Sequence, residues 1–319
     1  MFLSRDILIM NVKGIFFIIY LFLPTIALAQ CDYYDILSSM GLDTDIETNF
    51  ELKDAVFRDS GGSIYHPYFD RFLKEKNPAF SIDAELTYDN LIWMKGFKES
   101  GALNRLKLAV NYVKRNPESI VPEFEAKYLV SKELSLLDEA FFQSEYMSEV
   151  NIIVTHDNVT TYWKHLDGKP VRGHSADVTW NSIPGAGAPD GEKELVIALL
   201  KDKDGNWYVP TGNHGSKNLV LHEFGHAFDK IAGNGLTGQP FSKSSDFYSS
   251  WYNEYSAGNL KESYYLQPEN NYSAALEESF AEGIAKYYGS FVTNSYEWPY
   301  ITSYFYNVLR PMLINSRFN

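Results

Sequence analysis

"NLVLHEFGHAFDK" (residues 218–230) sets two histidines, His222 and His226, four residues apart, with Glu223 directly after the first. The apolar residues around them recur at helical spacing, and Asn218 can start the helix by capping it. On a helix the two imidazoles project from one face, a turn apart, and can share one Zn²⁺ ion. Glu223 lies about 100° around the helix, placed to work on water beside that ion rather than to bind it. The alternative is an amphipathic helix that carries two histidines by accident. Gly225 argues against it, because glycine costs a helix interior about 1 kcal/mol and implies a neighbour packed tightly on that face.

Two histidines leave a zinc site short of one protein ligand. One class of zinc peptidase has glycine three residues after the second histidine and a third histidine three beyond, but this chain has Asp229 and Ala232 there. The other main class draws a glutamate from a later helix. "SAALEESFAEGIAKYYGSF" (273–291) is the candidate, with Glu277, Glu278 and Glu282. Its apolar face holds Phe280, Ala281, Ile284 and Tyr288, with Glu277 in the middle. Glu278 shares the adjoining flank with Ala274, Ala281 and Ala285, where small side chains let two helices approach. A buried carboxylate needs a partner or a metal, so periodicity leaves Glu277 and Glu278 both open.

Several motifs in order carry a family resemblance. "HLDGKPVRG" (165–173), "TWNSIPGAG" (179–187), "NHGSKNLVLHEFGHAFD" (213–229) and "EESFAEGIAKYY" (277–288) resemble the catalytic domain of anthrax lethal factor and the Pro-Pro endopeptidases, over residues 116 to about 315. The resemblance implies an α+β fold: a zincin-type catalytic domain, residues 116–319, with a small mixed α/β lobe and a helical lobe. It implies one Zn²⁺ on His222, His226 and Glu278, with Glu223 as general base. The family's Glu-x-Phe-Ala-Glu pattern falls on Glu278 to Glu282, so Glu282 would orient a ligand histidine. The family's oxyanion-binding tyrosine would align with Asn271. Tyr272, one residue on, is assigned to it, with Tyr264 and Tyr265 as the other tyrosines of that stretch. His214, in "GNHGSKN" (212–218), is expected to border the cleft without binding metal.

The implied activity is that of a secreted metalloendopeptidase acting on a protein or peptide substrate. The alternative is a secreted zinc-containing binding or toxin-like protein with the same fold and no turnover. Cleavage-site preference is not legible.

The rest of the chain sets the context. Its 319 residues, 45% of them hydrophobic, can bury a sizeable core. A net charge of -13 without a basic block argues against nucleic acid as a partner. Residues 1–29 read as a secretory signal with Met10 as the start: Lys13, an apolar run from Ile15 to Leu23, then Ala27-Leu28-Ala29. That run is too short to leave a transmembrane segment in the mature chain. Cys31, the single cysteine, cannot form an internal disulfide, and its place beside the signal raises lipid attachment as a minor alternative. Residues 30–115 are expected to be mainly helical. Beyond them come helices in 122–143, a strand at 149–156, a Gly/Pro-rich loop at 167–191 and a hairpin at 193–210. Its first strand, 194–200, is expected to be an edge along which substrate pairs.

Overall fold

A computed structural model describes residues 57–58, 63–64, 67–76, 101–171, 177–189, 192–212, 216, 218–267, 269–289 and 297–316. The expected signal (1–29), Cys31 and His214 lie outside them. The chain divides into two compact units, residues 1–104 and 105–319. In the first, the described residues form a short antiparallel pair, β1 (Phe57–Arg58) with β2 (Ser63–Ile64), and helix α1 (Pro67–Lys76). Helix α2 (Ala102–Val110) runs across the boundary.

The second unit is α+β, with a small mixed sheet and a set of helices. The sheet contains β3 (Val113–Arg115), β4 (Asn151–His156), β5 (Gly185–Gly187), β6 (Glu194–Lys201) and β7 (Trp207–Tyr208). Its order is β3-β4-β6-β5, with β7 pairing the end of β6. The first three strands run parallel and β5 antiparallel to β6. Because β3 belongs to this sheet, the unit begins ahead of residue 116.

Strand β6 is where expectation and structure part. Leu195, Val196, Ile197, Ala198 and Leu199 are all fully buried, the unbroken apolar run of a strand covered on both faces. It lies between β4 and β5 and is not an edge. Among the described residues the edge on that side is β5, from the end of the Gly/Pro-rich loop. The hairpin is present, with Leu200 opposite Tyr208 and Lys201 opposite Trp207.

Helices α3 (Glu123–Leu134) and α4 (Glu139–Phe142) fill the 122–143 stretch, the second started by Asp138, whose carboxylate accepts from Ala140 N at 2.9 Å. Helix α5 (Leu219–Thr237) carries the opening motif. Its cap, Asn218, accepts from Leu221 N at 3.0 Å and donates to Glu133 Oε2 at 2.8 Å, which anchors the helix start to α3. Helix α6 (Ser245–Ser256), helix α7 (Glu269–Gly289), α8 (Pro299–Tyr304) and α9 (Arg310–Asn315) follow. Phe224, Phe228, Phe241, Phe247, Phe280 and Phe305 have no exposed surface and pack ring against ring between these helices. This aromatic core fixes α5 against α7. No described helix is long and apolar enough to cross a membrane.

Candidate metal centre

The residues of the opening motif and of the later helix converge. Helix α5 presents His222 and His226 side by side, ring centroids 4.9 Å apart, and α7 brings Glu278 to both. Glu278 Oε2 lies 3.4 Å from His222 Nε2 and 3.2 Å from His226 Nε2. One donor atom from each of the three residues falls within 4.8 Å of the other two. The fold thus brings together the three residues that the resemblance implied, and they could hold a metal ion.

The contact between the helices explains the convergence. A Cβ on Gly225 would lie 2.7 Å from the Ala281 Cα, so glycine is what lets the helices meet backbone to backbone. Ligands on either side of that contact are therefore held close. Glu277 turns away instead: its carboxylate lies 3.5 Å from Lys243 Nζ and accepts from Ser273 Oγ at 3.3 Å. Of the two glutamates that periodicity left open, Glu278 is the one brought to both histidines.

Glu282, one turn past Glu278 and nearly buried, sits 3.1 Å from His222 Nδ1. A proton on Nδ1 satisfies that carboxylate and leaves the Nε2 lone pair facing Glu278 and His226. Burial lowers the basicity of His222, but its hydrogen bonds to Glu278 and Glu282 outweigh this and raise its pKa well above the ordinary value. Burial likewise pushes the Glu278 carboxyl up, and the nearby His226 and His222 bring it down well below the carboxylate range. In the metal-free protein, then, a buried carboxylate is balanced by imidazolium charge. Two imidazole nitrogens and a carboxylate, one ring buried, the other two groups partly exposed and all mutually within reach, suit a divalent cation such as Zn²⁺ in place of that proton.

Glu223 is held from the sheet. It is 8% exposed, and its Oε2 accepts from Gly187 N on the edge strand β5 at 2.8 Å. A Cβ on Gly187 would run into the Glu223 carbonyl and lie 2.8 Å from the His226 Cβ. Glycine there lets the strand cross directly over the helix. In the sequence the glycines of "IPGAGA" read only as part of a Gly/Pro-rich loop, and nothing in their spacing named Glu223 as a group they approach.

Tyr272 and Tyr264 sit in different surroundings. Tyr272 has a left-handed backbone, φ 62°, at the start of α7, and its ring packs 5.1 Å from Trp251 of α6. Tyr264, in the 3₁₀ turn Ser263–Leu266, hydrogen-bonds Glu278. Burial raises the Tyr264 pKa, and the charges of Glu278 and Glu223 raise it further, so its phenol stays protonated as a donor.

Comparison with known proteins agrees in outline. Residues 104–296 match the family described as "Anthrax toxin lethal factor, N- and C-terminal domain". A solved structure, the PRO-PRO endopeptidase PPEP-2 from Paenibacillus alvei, is similar at 21% identity, covering 63% of this chain and 99% of that one with a TM-score of 0.46. No curated protein matches. The family match spans more than half of the chain and takes in the sheet, the His222–His226 helix and Glu278, and so this chain belongs to the anthrax toxin lethal factor family.

Proposed function

We propose that this chain is an exported, zinc-dependent endopeptidase with one metal ion per chain. The observation that carries the reading is the meeting of His222, His226 and Glu278 within 4.8 Å, with Glu223 on the same helix. Zinc, when bound, would supply Lewis acidity, lowering the pKa of water and polarising the peptide carbonyl. His222, His226 and Glu278 would hold it, and Glu282 would fix the tautomer of His222. Glu223 serves as the base, taking a proton from water and passing it to the leaving amine, while Gly187 N–H orients its carboxylate. Tyr264, rather than Tyr272, supports the oxyanion, because its phenol is the one that shares the site with Glu278 and Glu223.

The substrate is a peptide strand lying along β5. Pro184 O and Ala188 N bond to β6 at 2.7 and 2.8 Å, so the alternation of an antiparallel ladder turns Gly185 and Gly187 outward. Gly185 N–H, Gly185 C=O and Gly187 C=O are then available to an added strand. Export rests on the signal-like residues 1–29.

The test is zinc content and turnover of a mixed peptide library by wild type and Glu223→Gln. Stoichiometric zinc in both, with chelator-sensitive cleavage by wild type alone, supports the reading. Zinc bound without cleavage by wild type sinks it in favour of a binding protein.

A further inference from the structure

Beyond the metal ligands, helix α5 makes a second bond to the edge strand. Lys230 Nζ donates to the Ala188 carbonyl at 2.9 Å, one residue past the end of β5. Residues 223, 226 and 230 fall at i, i+3 and i+7, one stripe along the helix. The same stripe thus carries Glu223 bonded to Gly187, then metal ligand His226, then Lys230 bonded to Ala188.

Ala188 is built for this contact. It is buried, with φ 48°, a left-handed conformation that is strained for an alanine. Its N–H still pairs with Glu194 O at 2.8 Å, while its carbonyl turns out of the ladder towards α5. A charged donor on that carbonyl offsets the strain and satisfies a buried acceptor.

We infer that Lys230 is a positioning residue. By clamping Ala188 it fixes the end of β5, and through the neighbouring Gly187 N–H it fixes the carboxylate of Glu223. The two bonds act as a clip, one at each end of the short crossing of strand over helix. Glu223 Oε2 is directed by a backbone amide only as well as that backbone is itself held. This rests on the proposed role of Glu223 as base, but the clip itself is a structural claim that can be read without turnover.

Two measurements separate these. In the metal-free protein, Lys230→Met should speed amide hydrogen exchange at Ala186, Gly187 and Ala188 about 10-fold or more over wild type, with the rest of the sheet unchanged, and Lys230→Arg should restore protection. In the zinc-loaded protein, Lys230→Met should lower kcat about 10- to 100-fold, with KM changed less than about threefold and stoichiometric zinc retained. Exchange unchanged at Ala186, Gly187 and Ala188, or raised throughout the sheet, overturns the clip. A rise in KM with kcat intact also overturns the inference, making Lys230 a substrate contact. If wild type shows no turnover but the local exchange effect appears, the clip stands and the peptidase reading fails.

Discussion

Gly225 and Ala281 mark the point where helices α5 and α7 touch: a Cβ added to Gly225 would sit 2.7 Å from the Ala281 Cα and 3.2 Å from its Cβ. Both neighbours belong to a helix, and one is backbone, so the contact yields only by moving α5 from α7. Gly225→Ala gains about 1 kcal/mol of helix propensity. Overpacking of a tight contact costs about 1–3 kcal/mol, so the net effect is loss. The larger effect is on the metal, since separating the helices draws Glu278 from His222 and His226. Zinc affinity should fall at least about 10-fold, read by competition with a chromophoric chelator, and metal-free stability in urea should fall by about 1 kcal/mol. Unchanged zinc affinity would show that the close approach does not set the site.

Glu278 and Glu282 lie one turn apart and should fail differently. Glu278→Gln removes the one carboxylate that, among the described residues, reaches both histidines, and zinc should no longer bind at stoichiometry in equilibrium dialysis. Glu282→Gln keeps all three donors and weakens only the hold on His222 Nδ1, so affinity should fall about 10- to 100-fold. Equal loss in the two variants would place Glu282 among the ligands.

The tyrosines give a direct comparison. Tyr264→Phe keeps the ring in its turn and deletes the donor beside Glu278. With zinc saturating, kcat should drop about 10²- to 10³-fold with little change in KM. Tyr272→Phe, with its ring on Trp251, should stay within about twofold of wild type. The reverse ranking would restore the assignment drawn from sequence.

How much of this was legible in the chain follows from what each signal depends on. The pairing of His222 with His226 needs only helical periodicity, and Gly225 announced a close neighbour before that neighbour was known. The small flank of α7 with Ala281 supplied the matching surface. Glu278 could not be separated from Glu277 by periodicity, because the separation depends on Lys243 and Ser273 reaching Glu277. Strand β5 was hidden because Gly-Ala-Gly has no β-branched or aromatic residue, and its pairing is decided by β6. With β5 unseen, β6 looked like an edge. Tyr264 lies 14 residues ahead of Glu278, a distance bridged by a turn and a left-handed residue that spacing does not encode.

The last prediction concerns Asp229, three residues beyond His226 and fully buried. Its carboxylate accepts from Ser242 N at 2.7 Å and Ser242 Oγ at 2.6 Å, which ties α5 to the 3₁₀ turn Phe241–Lys243. Burial nevertheless raises its pKa to about 6, against an unfolded value of 3.8, with the two bonds from Ser242 pulling the other way. Between those values the folded protein holds a proton that the unfolded chain has released. Stability from this group is therefore present at low pH and lost as pH rises through about 6. The raised His222 and lowered Glu278 values also act in the metal-free protein, so only a comparison of variants isolates Asp229. Asp229→Asn has no such titration and can keep a hydrogen bond from Ser242 N. Urea unfolding of metal-free wild type and Asp229→Asn at pH 4.5 and pH 7 gives the difference directly. The stability of wild type relative to the variant should be greater at the lower pH by about 2 kcal/mol. A difference that is flat, or that grows with pH, would show that Asp229 is ionised in the fold throughout and that its bonds to Ser242 outweigh its burial.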